Sequence, residues 1–251
     1  MIPLKTAAEV DAIGRAGRII GQIFEELPAQ IVPGRTTAEI DAFVEEYIRS
    51  QPGAIPAFKG LYGFPAATCI SVNHEVVHGI PQEERVIGEG DLISIDIGVK
   101  LEGWYADSAR TFGVGEIDEE AERLLDITER ALDAGIAEAV AGKRLGDVGY
   151  AIQSLAEGAG YGVVRDLVGH GIGREPHEEP QVPNFGRRGR GLLLRPGMVL
   201  AIEPMINEGT PEVMTLSDRW TVVTLDRSRS AHFEHTVAIE ESGPPRILTL
   251  P

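Results

Sequence analysis

A chain of 251 residues, 43% of them apolar, has enough material to bury a full core, and no stretch of it reads as a linker. Its 39 acidic against 23 basic residues give a formal net charge of −16, which opposes docking on nucleic acid or on an anionic membrane. The single cysteine, Cys69, excludes an internal disulfide, and no export signal or run approaching the ~20 apolar residues of a membrane span is present, so the expectation is a cytoplasmic protein, monomeric by default.

In chain order, Thr6 and Glu9 form a capping box ahead of Val10, Ile13, Ile20, Ile23, Phe24 and Leu27, which share one helical face. Pro33-Gly34 breaks the chain. Thr36 and Glu39 form a second box ahead of Ile40, Phe43, Val44, Tyr47 and Ile48. After a Gly/Pro-rich loop, TCISVN (68–73) alternates like a strand and leads to His78 in VVHGIP. Two strand-like runs follow, 91–100 and 104–112, each holding one aspartate, Asp96 and Asp107.

The pattern then recurs. Asp118 caps a helix carrying Leu124, Leu125, Ile127, Leu132, Ile136 and Val140, expected to end at Gly142; Val148, Ile152 and Leu155 mark another that ends at Gly158. A strand-like run, 162–168, leads to His170, and the runs 197–205 and 231–239 carry Glu203 and Glu234. Both halves read helix, helix, strand, histidine, acid strand, acid strand. The expectation is one α/β domain, 1–251, of two halves at about 1–115 and 116–251, packed about a pseudo-twofold axis with their acids facing. The acids are 11 residues apart in the first half and 31 in the second, and pattern alone leaves duplication and accidental symmetry both open.

The stretch VGHGIGREPHEEP (168–180) places His170 and His177 seven apart, but its three glycines and two prolines oppose a helix. It reads as a shaped loop presenting two imidazoles. Asp96 and Glu203 stand in apolar runs and are expected in interior strands, where a carboxylate must take up a proton or find a cation. Taken singly, each acid has the ordinary reading of a structural ion pair. Taken together, the acids outnumber nearby bases, since only Arg110 lies close by in sequence. Four carboxylates and an imidazole suit two divalent ions with a bridging water. His170, between glycines directly after a strand, is the better ligand, which leaves His177 free for a substrate.

VVHGIP (76–81), DLISIDIG (91–98), WYADSARTF (104–112), GHGIGREPHEEP (169–180), PGMVLAIEP (196–204) and WTVVTLDRSRSAHFEHT (220–236) occur in the order found in methionine aminopeptidases of the shorter bacterial kind, type I, which the chain resembles over essentially its whole length. The resemblance implies the duplicated pita-bread α/β fold and removal of the N-terminal methionine from nascent polypeptides, with preference for a small second residue. It implies Asp96 as a ligand of one metal, Asp107 and Glu234 as bridging ligands, and His170 with Glu203 on the second metal. It implies Glu203 as the proton acceptor, and His78 and His177 as substrate contacts around the scissile amide. Metal identity stays open among Co, Mn, Fe and Zn.

The methionine pocket implied by the resemblance is apolar and matches Leu61, Phe64, Cys69, Pro176 and Trp220, with Leu61 and Pro176 where relatives often carry aromatics. His74, His232 and His235 match no role and are read as surface or structural. Arg187, Arg188 and Arg190 read as a solvated cluster, with transient ribosome docking as the functional alternative. Among other functions, Xaa-Pro peptidases of the same fold typically carry an additional N-terminal domain for which this chain is too short. Creatinase-like relatives lack the metal ligands, and a non-catalytic binding module of this fold would be expected to have lost one or more; all five are present. Only 32 residues separate His170 from Glu203, too few for the type II insertion.

Overall fold

The computed structural model describes residues 2–251. Each half opens on two helices. In α1 (Ala7–Glu26) the Thr6 side chain accepts from the Glu9 backbone N–H, while the Glu9 carboxylate accepts from that of Thr6. In α2 (Thr37–Ser50) Thr36 and Glu39 do the same. α1 buries Ile13, Ile20, Ile23 and Phe24 against the first sheet, and α2 buries Ile40, Val44 and Ile48.

That sheet contains β1 (Ala54–Pro56), β2 (Thr68–Val72), β4 (Leu92–Leu101) and β5 (Trp104–Gly113); β3 (Glu75–Val77) pairs elsewhere. β4 and β5 pair along their full length, Leu92 opposite Gly113 and Leu101 opposite Trp104. β1 and β2 share the other edge of β4.

The second half repeats this plan. The Asp118 side chain caps α3 (Glu119–Glu138) on the Ala121 N–H, and α4 (Leu145–Gly158) packs on α3. Ten short strands follow: β6 (Gly162–Val163), β7 (Gly169–Gly171), β8 (Glu178–Val182), β9 (Val199–Ile202), β10 (Met205–Asn207), β11 (Val213–Thr215), β12 (Val222–Thr224), β13 (Ser230–His232), β14 (His235–Ala238) and β15 (Arg246–Ile247). The main sheet has the order β15-β14-β9-β7-β8, and β13-β10-β6 forms a second, smaller one. Among the described residues, no helix is long and apolar enough to cross a membrane.

Three expectations are corrected. α3 ends at Glu138 and does not run to Gly142, because Ala139 leaves the helical region (φ −81°, ψ 54°) and the Gly142 N–H is taken by the Leu194 carbonyl. The run 162–168 is strand only at Gly162–Val163, since β10 offers two register partners there, Asn207 and Ile206. Glu203 does not lie within a strand; it stands in the break between β9 and β10, before Pro204, which has no N–H to continue a ladder.

The halves are joined along a seam of hydroxyl hydrogen bonds. The Thr236 hydroxyl accepts from the Asp107 N–H (3.1 Å) and donates to the Asp107 carbonyl (2.7 Å). Thr111 treats His232 likewise: its hydroxyl accepts from the His232 N–H (2.9 Å) and donates to the His232 carbonyl (2.8 Å). β5 therefore lies along β13 and β14, which sets Asp107 beside the break between those strands that carries Glu234.

Candidate active site

The β4–β5 register sets the first two carboxylates. Asp107 is opposite Gly98 and Asp96 is opposite Ala109, so the two aspartates are diagonal neighbours on one face. The second pair arises from matched interruptions. Ile202 pairs with His235 and Met205 with His232, which leaves 203–204 and 233–234 unpaired opposite one another. Glu203 and Glu234 emerge at that break, and the Glu234 N–H is satisfied across the seam by the Ala109 carbonyl (2.9 Å).

His170 completes the cluster. One ligand atom from each of Asp107, His170 and Glu234 lies within 4.8 Å of the others, and His170 Nε2 is 3.5 Å from Glu203 Oε1. The Gly171 carbonyl can only accept, so the contact with His170 Nδ1 (3.0 Å) places the ring proton on Nδ1. With burial and neighbouring His177 pushing its pKa down to about 4, the ring is neutral and its Nε2 lone pair faces the carboxylates. A lone pair beside carboxylate oxygens fits a shared cation.

The carboxylates point the same way. Burial first, then mutual repulsion, raises Asp107, Glu203 and Glu234 far above the ordinary carboxylate range, and burial raises Asp96. Asp96 Oδ1, Asp107 Oδ1 and Glu234 Oε1 are buried with no hydrogen-bond partner. Among the described residues, no Lys or Arg forms an ion pair with any of the four. The ordinary reading, a structural ion pair for each acid, therefore fails, and the oxygen-rich set with one imidazole fits divalent cations.

The glycines flanking His170 answer to close strand approach. A Cβ on Gly169 would stand 2.3 Å from the Ala201 carbonyl oxygen, and one on Gly171 2.3 Å from that of Glu179, because β7 is squeezed between β9 and β8. Gly79 has the same reason: a Cβ there would meet the Ile70 carbonyl at 2.1 Å. His78, just before it, holds a left-handed backbone (φ 58°) that costs energy for a residue with a side chain. The loop expected at 168–180 is corrected: only 172–177 lies between strands, His170 is carried on β7 itself, and Glu178 opens β8. Glu178 pairs with buried Lys5 and accepts from the Arg174 N–H, tying the segment around His177 to the chain's N-terminal region.

His78, His177 and the five cluster residues line one cavity of about 500 Å³. The His177 ring meets His170 edge-on (centroids 4.5 Å) and stacks on Tyr62 (6.0 Å). Burial and the proximity of His177 lower the pKa of His78. The apolar side of the cavity includes Leu61, Phe64, Cys69 and Trp220, with Phe64 and Trp220 in edge contact at 5.1 Å. Pro176 is the exception: it is buried in the loop, and the adjacent His177 takes the cavity-facing place.

Phe58, Tyr62, Val77, Leu167 and Met205 also line the cavity; the sequence reading gave none of them a role, although Val77 stands beside His78 in VVHGIP. His235 is structural, its Nδ1 2.7 Å from the Thr249 hydroxyl. His232 is buried against the cluster, with Nε2 3.7 Å from Glu203 Oε2. Its position two residues before Glu234 was the one available sign.

The family model of metallopeptidase family M24 matches residues 11–241. A methionine aminopeptidase of Clostridium perfringens is 54% identical over 250 residues, covering 100% of this chain and 99% of that one. The crystal structure of methionine aminopeptidase from Thermotoga maritima superposes with a TM-score of 0.97 at 46% identity, over 100% of both chains. Prolidase from Pyrococcus furiosus shares the fold at a TM-score of 0.79 and 25% identity, over 99% of this chain and 65% of that one. A duplicated α/β architecture of the pita-bread kind, a buried carboxylate–imidazole cluster and a family match across both halves lead to one assignment: the chain belongs to metallopeptidase family M24.

Proposed function

We propose that this protein hydrolyses the first peptide bond of polypeptides that begin with methionine, at a centre of two divalent ions held by Asp96, Asp107, His170, Glu203 and Glu234. The observation that carries the reading is the convergence of the Asp107, Glu203 and Glu234 carboxylates on the neutral His170, with Asp96 diagonal to Asp107, and with no Lys or Arg partner among the described residues. A single ion would leave part of this negative charge uncompensated, which favours two.

When bound, the ions supply a Lewis acid for the scissile carbonyl, an anchor for the free α-amino group and acidification of the attacking water. The chain's residues do the rest. Glu203 takes the proton of the attacking water and passes it to the leaving amine, a task suited to a carboxyl whose burial raises its proton affinity. The His177 ring donates toward the carbonyl oxygen as negative charge develops there. His78, across the cavity, holds the amide on the leaving side. Leu61, Phe64, Cys69 and Trp220 receive the apolar side chain of the first residue, and the second residue is a small one.

The site of action under this reading is the cytoplasm, on nascent chains, with the protein acting as a monomer. The 54% identity to the methionine aminopeptidase of Clostridium perfringens supports it over an Xaa-Pro specificity, since the likeness to the prolidase of Pyrococcus furiosus is 25%. The test is release of free methionine from a Met-Ala-Ser peptide against Xaa-Pro peptides, with Mn²⁺ or Co²⁺ and with chelator. Metal-dependent release from the first alone is expected; cleavage of Xaa-Pro alone would overturn the specificity, and undiminished activity under exhaustive chelation would overturn the metal centre.

A further inference from the structure

His232 lies at the end of β13, opposite Met205, with 2% of its surface exposed. Its backbone is clamped on both polar groups by the Thr111 hydroxyl. Its ring nitrogen Nε2 is buried and has no hydrogen-bond partner. A buried imidazole nitrogen left open is uncommon, because losing water without replacement is costly. The charged group it faces is the Glu203 carboxylate, with Oε2 at 3.7 Å, just beyond hydrogen-bond length.

Glu203 is thus bracketed by two imidazoles of different character. Oε1 faces His170, whose Nε2 is a lone pair because Nδ1–H is spent on the Gly171 carbonyl. Oε2 faces His232. An oxygen beside a lone pair needs a cation, whereas an oxygen beside an open ring nitrogen can receive a hydrogen bond. The Glu203 side chain has three rotatable bonds, and a small turn of its carboxylate closes 3.7 Å to bonding distance, while His232, held at its backbone, stays in place.

We propose that His232 is a positioning residue whose Nε2–H donates to Glu203 Oε2, fixing the carboxylate plane so that Oε1 is presented to a divalent cation beside His170. The inference rests on the reading of Glu203 as a metal ligand and proton carrier. Outer hydrogen bonds of this kind orient ligands, and removing one typically costs 10–100-fold in metal affinity or activity.

The test uses the full chain, stripped with chelator and titrated calorimetrically with Mn²⁺, together with kcat and KM on Met-Ala-Ser, for wild type, His232→Leu and His232→Gln. His232→Leu keeps the volume and removes the donor; it should weaken Mn²⁺ binding roughly 10–100-fold and lower kcat by a similar factor, with the peptide KM changed less than about threefold. His232→Gln restores an N–H donor and should recover most of both losses. Wild-type Mn²⁺ affinity in His232→Leu, or equal loss in both variants, would overturn the inference and leave the metallopeptidase reading intact; a wild type that neither binds Mn²⁺ nor releases methionine would overturn that reading itself. If His232→Leu fails to fold, the ¹⁵N shifts of His232 in the Zn²⁺-loaded wild type decide: protonation at Nε2 is expected, and a bare Nε2 would refute the donor.

Discussion

At the residue scale, the two bridging candidates carry the most weight. Asp107→Asn and Glu234→Gln each remove a carboxylate that is itself buried, and under the proposed reading each would serve both ions. Each should abolish turnover and reduce metal content measured by atomic emission; full activity with full metal loading in either variant would exclude the two-ion site. The two histidines of the 168–180 segment separate differently. Under the proposed reading His170→Ala should lose metal, while His177→Ala should keep metal and lose turnover by about 10²–10³-fold, the effect of removing one transition-state donor. Equal metal loss in both would show that the division of roles is wrong.

The apolar side of the cavity offers a third test at this scale. Leu61 lines it beside Phe64 and Trp220, where a flat ring would fill more of the space. Leucine leaves that side wider, so norleucine and leucine should compete better with methionine than in relatives carrying an aromatic there, within the ~1–3 kcal/mol that a methylene's fit is worth. Leu61→Tyr should raise the Met/Leu ratio of kcat/KM on Xaa-Ala-Ser peptides. An unchanged ratio would mean that neighbouring side chains already fill the gap. Pro176, away from the cavity lining, should have no such effect.

At the scale of elements, the site depends on how tightly β7 is held. Its two glycines let the backbone carrying His170 fit between β8 and β9, and the obstacle at Gly171 is backbone, the Glu179 carbonyl, which has little room to give. Gly171→Ala should therefore pry β7 from β8, lower stability by about 1–3 kcal/mol and displace His170 enough to weaken metal binding. Thermal melts with and without Mn²⁺ read both effects. A variant whose metal-dependent rise in Tm equals that of wild type would show that His170 is not positioned by this contact.

At the scale of the whole molecule, the closing of two halves over four acids makes stability depend on pH and metal together. Asp96, Asp107, Glu203 and Glu234 have folded-state pKa values raised above those of the unfolded chain, chiefly by burial. A group of this kind contributes stability below its unfolded pKa of about 4, and that contribution is lost as pH rises through the folded pKa. The buried histidines act in the opposite sense, their depressed pKa values costing stability as pH falls below about 6.5. Between about pH 7 and 8 the histidines are largely neutral in both states, so the acids dominate. The chelated protein should lose Tm across that window while the Mn²⁺-loaded protein does not, since deprotonated ligands favour the ion. Parallel melting curves for the two forms would refute the coupling.

Much of the fold was legible in the chain itself, because local physics sets it. Capping boxes at Thr6–Glu9 and Thr36–Glu39, helical spacing, and the alternation of 91–100 and 104–112 all act over a few residues, and the structure places those elements within a residue or two of expectation. The order of histidine and acids in each half was legible for the same reason. What tertiary structure decided was distance and environment. Glu203 and Glu234 meet because two strand pairs break at the same level, and β5 reaches them because Thr111 and Thr236 bond across the seam. Pro176 looked like a wall of the cavity and is not, and His232 looked incidental yet stands 3.7 Å from Glu203. Neither could be read in the chain, because periodicity reports which side of an element is buried, while the partner on that side comes from residues far away in sequence, brought near only by packing.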